Sequence, residues 1–322
     1  MLRGKTLQNM ILPPAIIYGI LGLFLGSFAN VVSLRLHNKQ KGIFFGRSAC
    51  PKCNHLLSWY ENLPVVSWLF LRGQCKNCKQ PISWQYPAAE LFFGILFFII
   101  AFFTPLEDHF LLFWRLILAF SLGIIVLSDL RYMDIPDAVS LPTIGFVLGS
   151  LIINTFFSLS PALPSLFDAL CGAAVIYGFF SLAFLFLPGA LQALRQKKWS
   201  TIKDVSLSIF LLPVWILASL LGLGKWLERY IDDDDNELPG WIGGGDLRLG
   251  ILMGLVLGGK MGLVAVFLSY TTAAIVMLPI YAWQKGKHSL FPFGPFLVLG
   301  TFLAMFWGEE ILQWYLHLIG IA

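Results

Sequence analysis

Residues 243–259 read GGGDLRLGILMGLVLGG: three glycines, one aspartate and then an apolar run. Together with the apolar residues that follow, this run predicts helices inside a lipid bilayer. Asp246 therefore stands at the threshold of a membrane-length helix. A charged group drawn into the hydrocarbon costs about 2.5–3.5 kcal/mol on insertion scales, so such residues usually mark a function.

The rest of the chain has the same apolar character. Hydrophobic residues make up 57% of the 322 and charged residues 12%, and the mean hydropathy is +0.77, which excludes an ordinary soluble globule. The predicted fold is an all-α polytopic membrane protein with about eight transmembrane helices and a four-cysteine loop. The apolar runs that predict these helices lie near residues 14–34, 88–104, 110–128, 139–157, 166–188, 247–261, 262–282 and 293–318.

Basic residues predict the orientation of the chain in the membrane. Between His37 and Ala89 there are seven Lys or Arg residues and one acid, Glu61, so this loop is expected on the cytoplasmic side. Lys285 and Lys287 are expected on that side too. A full crossing by the apolar segment 207–224 would place them on the opposite side of the membrane. We expect that segment to be interfacial or re-entrant; a full crossing, with the later helices miscounted, is the alternative.

Two aspartates are predicted at the same membrane face. Asp129 ends one apolar run and Asp246 begins another, and counting crossings places both at the cytoplasmic rim. The macrodipole at a helix C-terminus disfavours the charged form of Asp129. Two neighbouring carboxyls tend to share one proton, which is the arrangement for aspartic proteolysis. A solvated position at the headgroups is the alternative for each residue alone.

The glycines before Asp246 fit the handling of a peptide substrate. A protease at a membrane surface must hold its substrate extended, and Gly243 and Gly245 would let a second backbone approach closely. These two glycines are the predicted substrate-positioning residues. A plain flexible turn ahead of a helix explains the same run equally well.

Four cysteines in the basic loop predict a metal site. Two CxxC pairs, separated by 21 residues, have nearly zinc-ribbon spacing and are typical of a structural, tetrahedral Zn²⁺ site. Disulfides are the alternative, although a cytoplasmic loop disfavours them. A fifth cysteine, Cys171, stands alone in an apolar run, where we expect a small buried residue. The predicted metal ligands are Cys50, Cys53, Cys75 and Cys78.

These features together resemble one family, the type IV prepilin peptidases, within the GxGD class of intramembrane aspartyl proteases. GLFLGSFANVVSLRLHN in the first apolar run is similar to the family's GSFxNV signature, and the loop has CPxC and PISWQYP followed by Glu90. DLRYMDIPD and GGGDLRLG resemble the two catalytic motifs, and PFGPFLVLG resembles the closing one. Arg248 departs from the lysine that is usual two residues after the catalytic aspartate.

The resemblance implies an aspartic endopeptidase with two activities. Such enzymes cut the short basic leader from type IV prepilins and type II secretion pseudopilins at the cytoplasmic face of the bacterial inner membrane. Many then methylate the new amino terminus with S-adenosylmethionine. Asp129 and Asp246 would be the catalytic pair, and the four cysteines the metal cluster of the bifunctional members. The expected partners are the prepilin substrate and the lipid bilayer, with no nucleic acid.

The resemblance also divides the chain. Residues 14–36 would be the first transmembrane helix, 37–89 the zinc-binding loop associated with methylation, and 90–322 the peptidase domain. The part at about 190–238 is longer than usual for the family and ends in an acidic run, DDDDNELPG. The sequence does not show which residues bind the methyl donor. Glu61, Asn62 and Glu90 are polar candidates near the loop, although Glu61 could as easily be a solvated surface charge.

Two functions from other classes compete with the peptidase. One is a catalytically inert membrane scaffold, whose zinc loop docks onto a pilus or secretion machine. The other is a zinc-dependent methyltransferase without proteolysis. Replacing each aspartate by asparagine and following the mass of a prepilin separates the three.

Overall fold

The computed structural model of the chain is built from helices. It describes residues 2–39, 48–50, 52–105, 107–196, 244–283 and 291–318. Segment 207–224, the acidic run, Gly243, Lys285 and Lys287 lie outside these ranges, so the predictions for them stay predictions. The described residues contain no β-strand, only the isolated bridges Ala49–Leu56 and Gln74–Pro81. The predicted all-α class is confirmed.

Eight α-helices and one short 3₁₀ helix (Trp59–Asn62) are described. Six of them include a segment long and apolar enough to cross a bilayer, namely α1, α3, α4, α5, α7 and α8, and a shorter apolar stretch covers Leu166–Leu182 in α6. The chain is thus a multi-pass membrane protein. The α-helices are α1 (Leu2–His37), α2 (Val66–Phe70), α3 (Gln85–Phe103), α4 (His109–Tyr132), α5 (Asp137–Phe157), α6 (Leu166–Gln196), α7 (Gly244–Trp283) and α8 (Gly294–Leu318).

The helices belong to two compact units. The first comprises Met1–Val139 and Phe157–Ala162, and the second comprises Ser140–Phe156 and Leu163–Ala322. The predicted domain boundaries at 14–36, 37–89 and 90–322 stay predictions.

In the first unit, α1 packs on α3 and on α4. Glycine permits the close approach of α1 to α3, because a Cβ on Gly26 would lie 2.8 Å from the Cα of Glu90. Phe93 and Phe97 fill the space between the helices and are fully buried. This contact places the start of α3, which follows the cysteine loop, beside the GSFxNV-like motif on α1.

In the second unit, α7 packs on α6 and on α8, and α7 is a hairpin. Gly258 has φ 73° and ψ −174°, a backbone conformation that favours glycine. A Cβ on Gly262 would lie 3.8 Å from the Cα of Gly254, whereas eight residues of straight helix span about 12 Å. The separate runs predicted at 247–261 and 262–282 therefore form two arms that reverse near Gly258. The total of eight crossings stays a prediction.

Candidate functional site

The four cysteines of the loop form one cluster. Their sulfur atoms all lie within 4.8 Å of one another, and Cys50 Sγ is 3.9 Å from Cys78 Sγ. All four are free thiols, since a disulfide would need about 2.05 Å between sulfurs. Tetrahedral zinc with Zn–S bonds of about 2.3 Å separates its sulfurs by about 3.8 Å, so the cluster has the size of a metal site.

The two CxxC pairs are built alike by the local sequence. The residue after each pair takes a left-handed conformation, Asn54 with φ 56° and Lys79 with φ 59°. Each of them donates its backbone N–H to the carbonyl of the first cysteine, at 2.9 Å for Cys50 and 3.0 Å for Cys75. Each pair is therefore a tight knuckle that turns two sulfurs towards the same point. The spacing alone predicted this arrangement.

Between the knuckles, Glu61 is a buried carboxylate and not the solvated charge that the sequence left open. Its side chain is 1% exposed and lies 3.3 Å from His55 Nε2. Its Oε2 accepts the backbone N–H of Ser58 at 2.7 Å. That hydrogen bond, with a further contribution from His55, lowers the pKa of Glu61 despite burial. Glu61 thus serves the loop's own backbone.

A second carboxylate, Glu90 on α3, holds a strained turn of the loop. Val65 has φ 61° and ψ −48°, and the N–H of Val66 contacts the carbonyl of Pro64 at 2.5 Å, which makes a γ-turn of the rare, strained form. A β-branched residue at positive φ is an outlier. Glu90 Oε2 accepts the N–H of Val65 at 2.7 Å. The carboxylate therefore ties the loop to the membrane helix.

Asp129 lies buried in the last turn of α4, with 6% of its surface exposed. The helix ends at Met133, whose left-handed backbone donates its N–H to the Asp129 carbonyl at 2.9 Å. Because the chain leaves the helix there, Asp129 lies at the C-terminal end of α4, and its place at the cytoplasmic rim of the membrane stays a prediction. Its catalytic role stays a prediction.

Helix α1 holds α4 on both sides of Asp129. Ser33 and Ser128 are hydrogen-bonded through their hydroxyls at 3.0 Å. On the other side, Arg131 Nη2 donates to Asn30 Oδ1 at 2.6 Å. Asn30 also donates to the carbonyl of Tyr86 on α3 at 3.3 Å, and the Arg131 guanidinium lies 5.7 Å from the Tyr86 ring centroid. We call Asn30, Ser33, Ser128 and Arg131 the α4 clamp.

Sequence reasoning missed the α4 clamp. The motif GSFxNV that carries Asn30 was visible, and so was the DLRY that carries Arg131. Nothing in either motif states that the two meet, because 101 residues separate them. Only the packing of α1 on α4 brings them together.

In the second unit, Asp246 lies in the first turn of α7 and is half-buried. Gly244 and Gly245 before it are helical. The helix extends backwards through them, since glycine does not forbid helical angles. Asp129 belongs to the first unit and Asp246 to the second. Their pairing and the substrate-positioning role of Gly243 and Gly245 stay predictions.

Cys171, which the sequence placed in the protein interior, is exposed on α6. An apolar helix of a membrane protein presents apolar residues to lipid as well as to its neighbours. Apolar surroundings in the sequence therefore do not distinguish a buried from a lipid-facing position.

Comparisons with known proteins agree with the resemblance. Residues 20–104 match the Bacterial Peptidase A24 N-terminal domain. The chain is 29% identical over 320 residues to a prepilin leader peptidase/N-methyltransferase of Aeromonas hydrophila, with 92% of each chain covered. It is 29% identical to one of Bacillus subtilis, with 93% of this chain and 96% of the relative covered. One of Myxococcus xanthus is 40% identical over 52% of this chain and 46% of the relative. No solved structure matches the chain.

Proposed function

We propose that the chain removes the leader of type IV prepilins or type II secretion pseudopilins. N-methylation of the new amino terminus follows. The chain is a homologue of the prepilin leader peptidase/N-methyltransferases along nine-tenths of its length. The observation that supports this function is the sequence match to these relatives, which covers 92% of the chain and so includes residues of both units. The match to the A24 N-terminal domain at residues 20–104 agrees with it.

Asp129 and Asp246 are the proposed catalytic pair. One carboxylate takes a proton from water while the other, protonated, donates a hydrogen bond to the scissile carbonyl, so the water oxygen attacks the carbonyl carbon. The tetrahedral carbon then releases the amine as the C–N bond breaks, and the amine nitrogen takes a proton from one of the two carboxyls. A pair of this kind needs carboxyls that share one proton. Two features of Asp129 support its role: it is buried, and it lies at the C-terminal end of a helix, where the macrodipole opposes its charged form.

Zn²⁺ is the proposed occupant of the four-cysteine cluster. The sulfur spacing of 3.9 Å between Cys50 and Cys78 and 4.0 Å between Cys53 and Cys75 supports this choice. Four thiolates complete a tetrahedral shell, so the metal would hold the loop together and leave no position for substrate. Its contribution is to the folding of a loop with few apolar contacts of its own.

The methyl donor, S-adenosylmethionine, is implied by the names of the relatives. Of the acids that the sequence offered for it, Glu61 accepts the N–H of Ser58 and Glu90 accepts that of Val65, and both are buried. Both carboxylates bind the protein's own backbone through Oε2, while Glu61 Oε1 is buried without a hydrogen-bond partner among the described residues. These contacts do not assign a donor pocket.

We place the cysteine loop and the catalytic pair at the cytoplasmic face of the bacterial inner membrane. The basic residues of the loop support this orientation, because positively charged loops stay on the cytoplasmic side.

The test compares the wild type with Asp129→Asn and Asp246→Asn on a purified prepilin. Mass spectrometry follows loss of the leader and gain of one methyl group. We expect both variants to lose cleavage, while Asp134→Asn keeps it, since Asp134 is an exposed loop residue after α4. Equal cleavage by all four proteins would refute the catalytic pair, and cleavage by none of them would favour the inert scaffold. Methylation of a pre-cleaved pilin by both Asn variants would separate the second activity from the first.

A further inference from the structure

Helix α2 of the cysteine loop exposes an apolar face. Val66, Leu69 and Phe70 are 45%, 61% and 84% exposed, and their spacing of three and four residues places them on one side of the helix. Trp68 points the other way, since its Nε1 donates to the carbonyl of Ile82 at 3.1 Å. The loop therefore uses one side of α2 for its own fold and presents the other side outward.

The tie to α3 fixes the depth of α2 relative to the membrane helix. The N–H of Val65, one residue before α2, binds the carboxylate of Glu90. Glu90 is the sixth residue of α3, about 9 Å along the helix from Trp84. Trp84 caps the start of α3 and is 70% exposed, as is typical of an aromatic residue at a membrane–water interface. Because helical side chains lean towards the N-terminus of their helix, the start of α2 lies at the level of the first two turns of α3, close to Trp84.

The surface of α3 is apolar and exposed from the same level onward. Leu91 and Ile95 on α3 are 46% and 59% exposed, and Leu91 directly follows the residue that binds the loop. Because α3 is a membrane helix, these side chains meet acyl chains. An apolar face at the same level has the same surroundings.

The charge of the loop selects the kind of lipid. Its described residues 48–84 carry four exposed cations and one acid, the buried Glu61. A positive surface beside an apolar face attracts anionic headgroups, and it repels the basic leader that the resemblance implies for the substrate. The cations are Lys52, Arg72, Lys76 and Lys79.

We propose that α2 is an interfacial helix, with Val66, Leu69 and Phe70 inserted at the boundary of headgroups and acyl chains and with Arg72 at the lipid phosphates. The membrane is its occupant. The zinc loop is then held at the bilayer surface by three attachments: α1, α3 and this face.

The test uses the full chain in nanodiscs of phosphatidylglycerol or of phosphatidylcholine. Both contain a minor phospholipid with a diazirine at the start of an acyl chain. After irradiation, peptide mapping locates the lipid adducts. We expect adducts on 66–70 as well as on 91–95, with more on 66–70 in phosphatidylglycerol.

The variant Leu69→Ser/Phe70→Ser should lose the adducts on 66–70 and keep those on 91–95. Leu56→Ser is the matched control, because Leu56 is 50% exposed on the first knuckle outside α2, and it should change neither. Bound metal, measured for each protein, shows that the loop has folded.

Adducts on 91–95 with none on 66–70 would overturn the proposal. So would cross-linking of 66–70 to a photoreactive prepilin in place of lipid, which would assign the face to the substrate. None of these readouts requires catalysis, so a failure of the proposed function leaves the test intact.

Discussion

Arg131 Nη2 lies 2.6 Å from Asn30 Oδ1, which joins α4 to α1 two residues beyond the buried carboxyl of Asp129. Asn30 also binds the carbonyl of Tyr86, so one amide connects three helices. We therefore expect the peptidase half of the proposed function to depend on Asn30, which lies in the part of the chain that matches the N-terminal domain at 20–104.

The α4 clamp predicts an effect of Asn30 on cleavage. Asn30→Ala removes the acceptor of the Arg131 hydrogen bond, and a hydrogen bond to a charged group contributes about 1.5–3 kcal/mol. We therefore expect roughly a tenfold or larger loss of kcat, with little change in KM. Asn30→Asp keeps the acceptor for Arg131 but loses the donor to the Tyr86 carbonyl, so we expect it to recover only part of kcat. Cleavage assays across pH check the positioning role, since a displaced Asp129 should shift the acidic limb of the profile. A variant that changed KM alone would contradict it.

Metal in the cysteine cluster predicts the behaviour of cysteine variants. Cys50→Ser or Cys75→Ser removes one ligand, so elemental analysis should find loss of the bound zinc expected at one ion per chain. Cys171→Ser is the control, because Cys171 lies on α6 outside the cluster. Retention of zinc by both cluster variants would exclude the four-thiolate site.

The left-handed Val65 predicts a stabilising substitution. Val65→Gly relieves the strain of positive φ at a β-branched residue, which is of order 1–3 kcal/mol, and leaves the N–H for Glu90. Thermal release of bound metal should occur at a higher temperature than in the wild type. Val66→Gly, in α2, is the matched control and should not raise that temperature, because Val66 is helical and glycine is a weaker helix former than valine. Equal shifts in both variants would contradict the strained turn.

Glu61 predicts a pH dependence of loop stability. Its pKa is lowered, chiefly by the N–H of Ser58, so its ionised form stabilises the loop above the unfolded pKa of about 4.3 and this contribution disappears as pH falls through the folded value. Glu61→Gln removes it. Hydrogen exchange of the Ser58 amide should differ between wild type and variant at pH 7, and this difference should vanish in acid. A difference that grew towards low pH would reverse the assigned sign.

From the sequence alone we predicted that the chain is an all-α membrane protein, where its apolar helices lie and that its four cysteines form one cluster. Each depends on local information: hydropathy over a window of one helix length, or two CxxC pairs whose turns form within a few residues. The hairpin in α7 was also local, because the apolar runs 247–261 and 262–282 meet at glycines.

Only the tertiary structure decided which polar groups serve the protein's own backbone and which elements hold Asp129. In the sequence, Glu61 and Glu90 cannot be distinguished from solvent-exposed acids. Their hydrogen bonds to the backbone of Ser58 and Val65 are visible only in the fold. The contact between Asn30 and Arg131 joins residues 101 positions apart. Such contacts depend on helix packing, where many pairs of apolar faces have similar free energies and the sequence pattern does not choose among them.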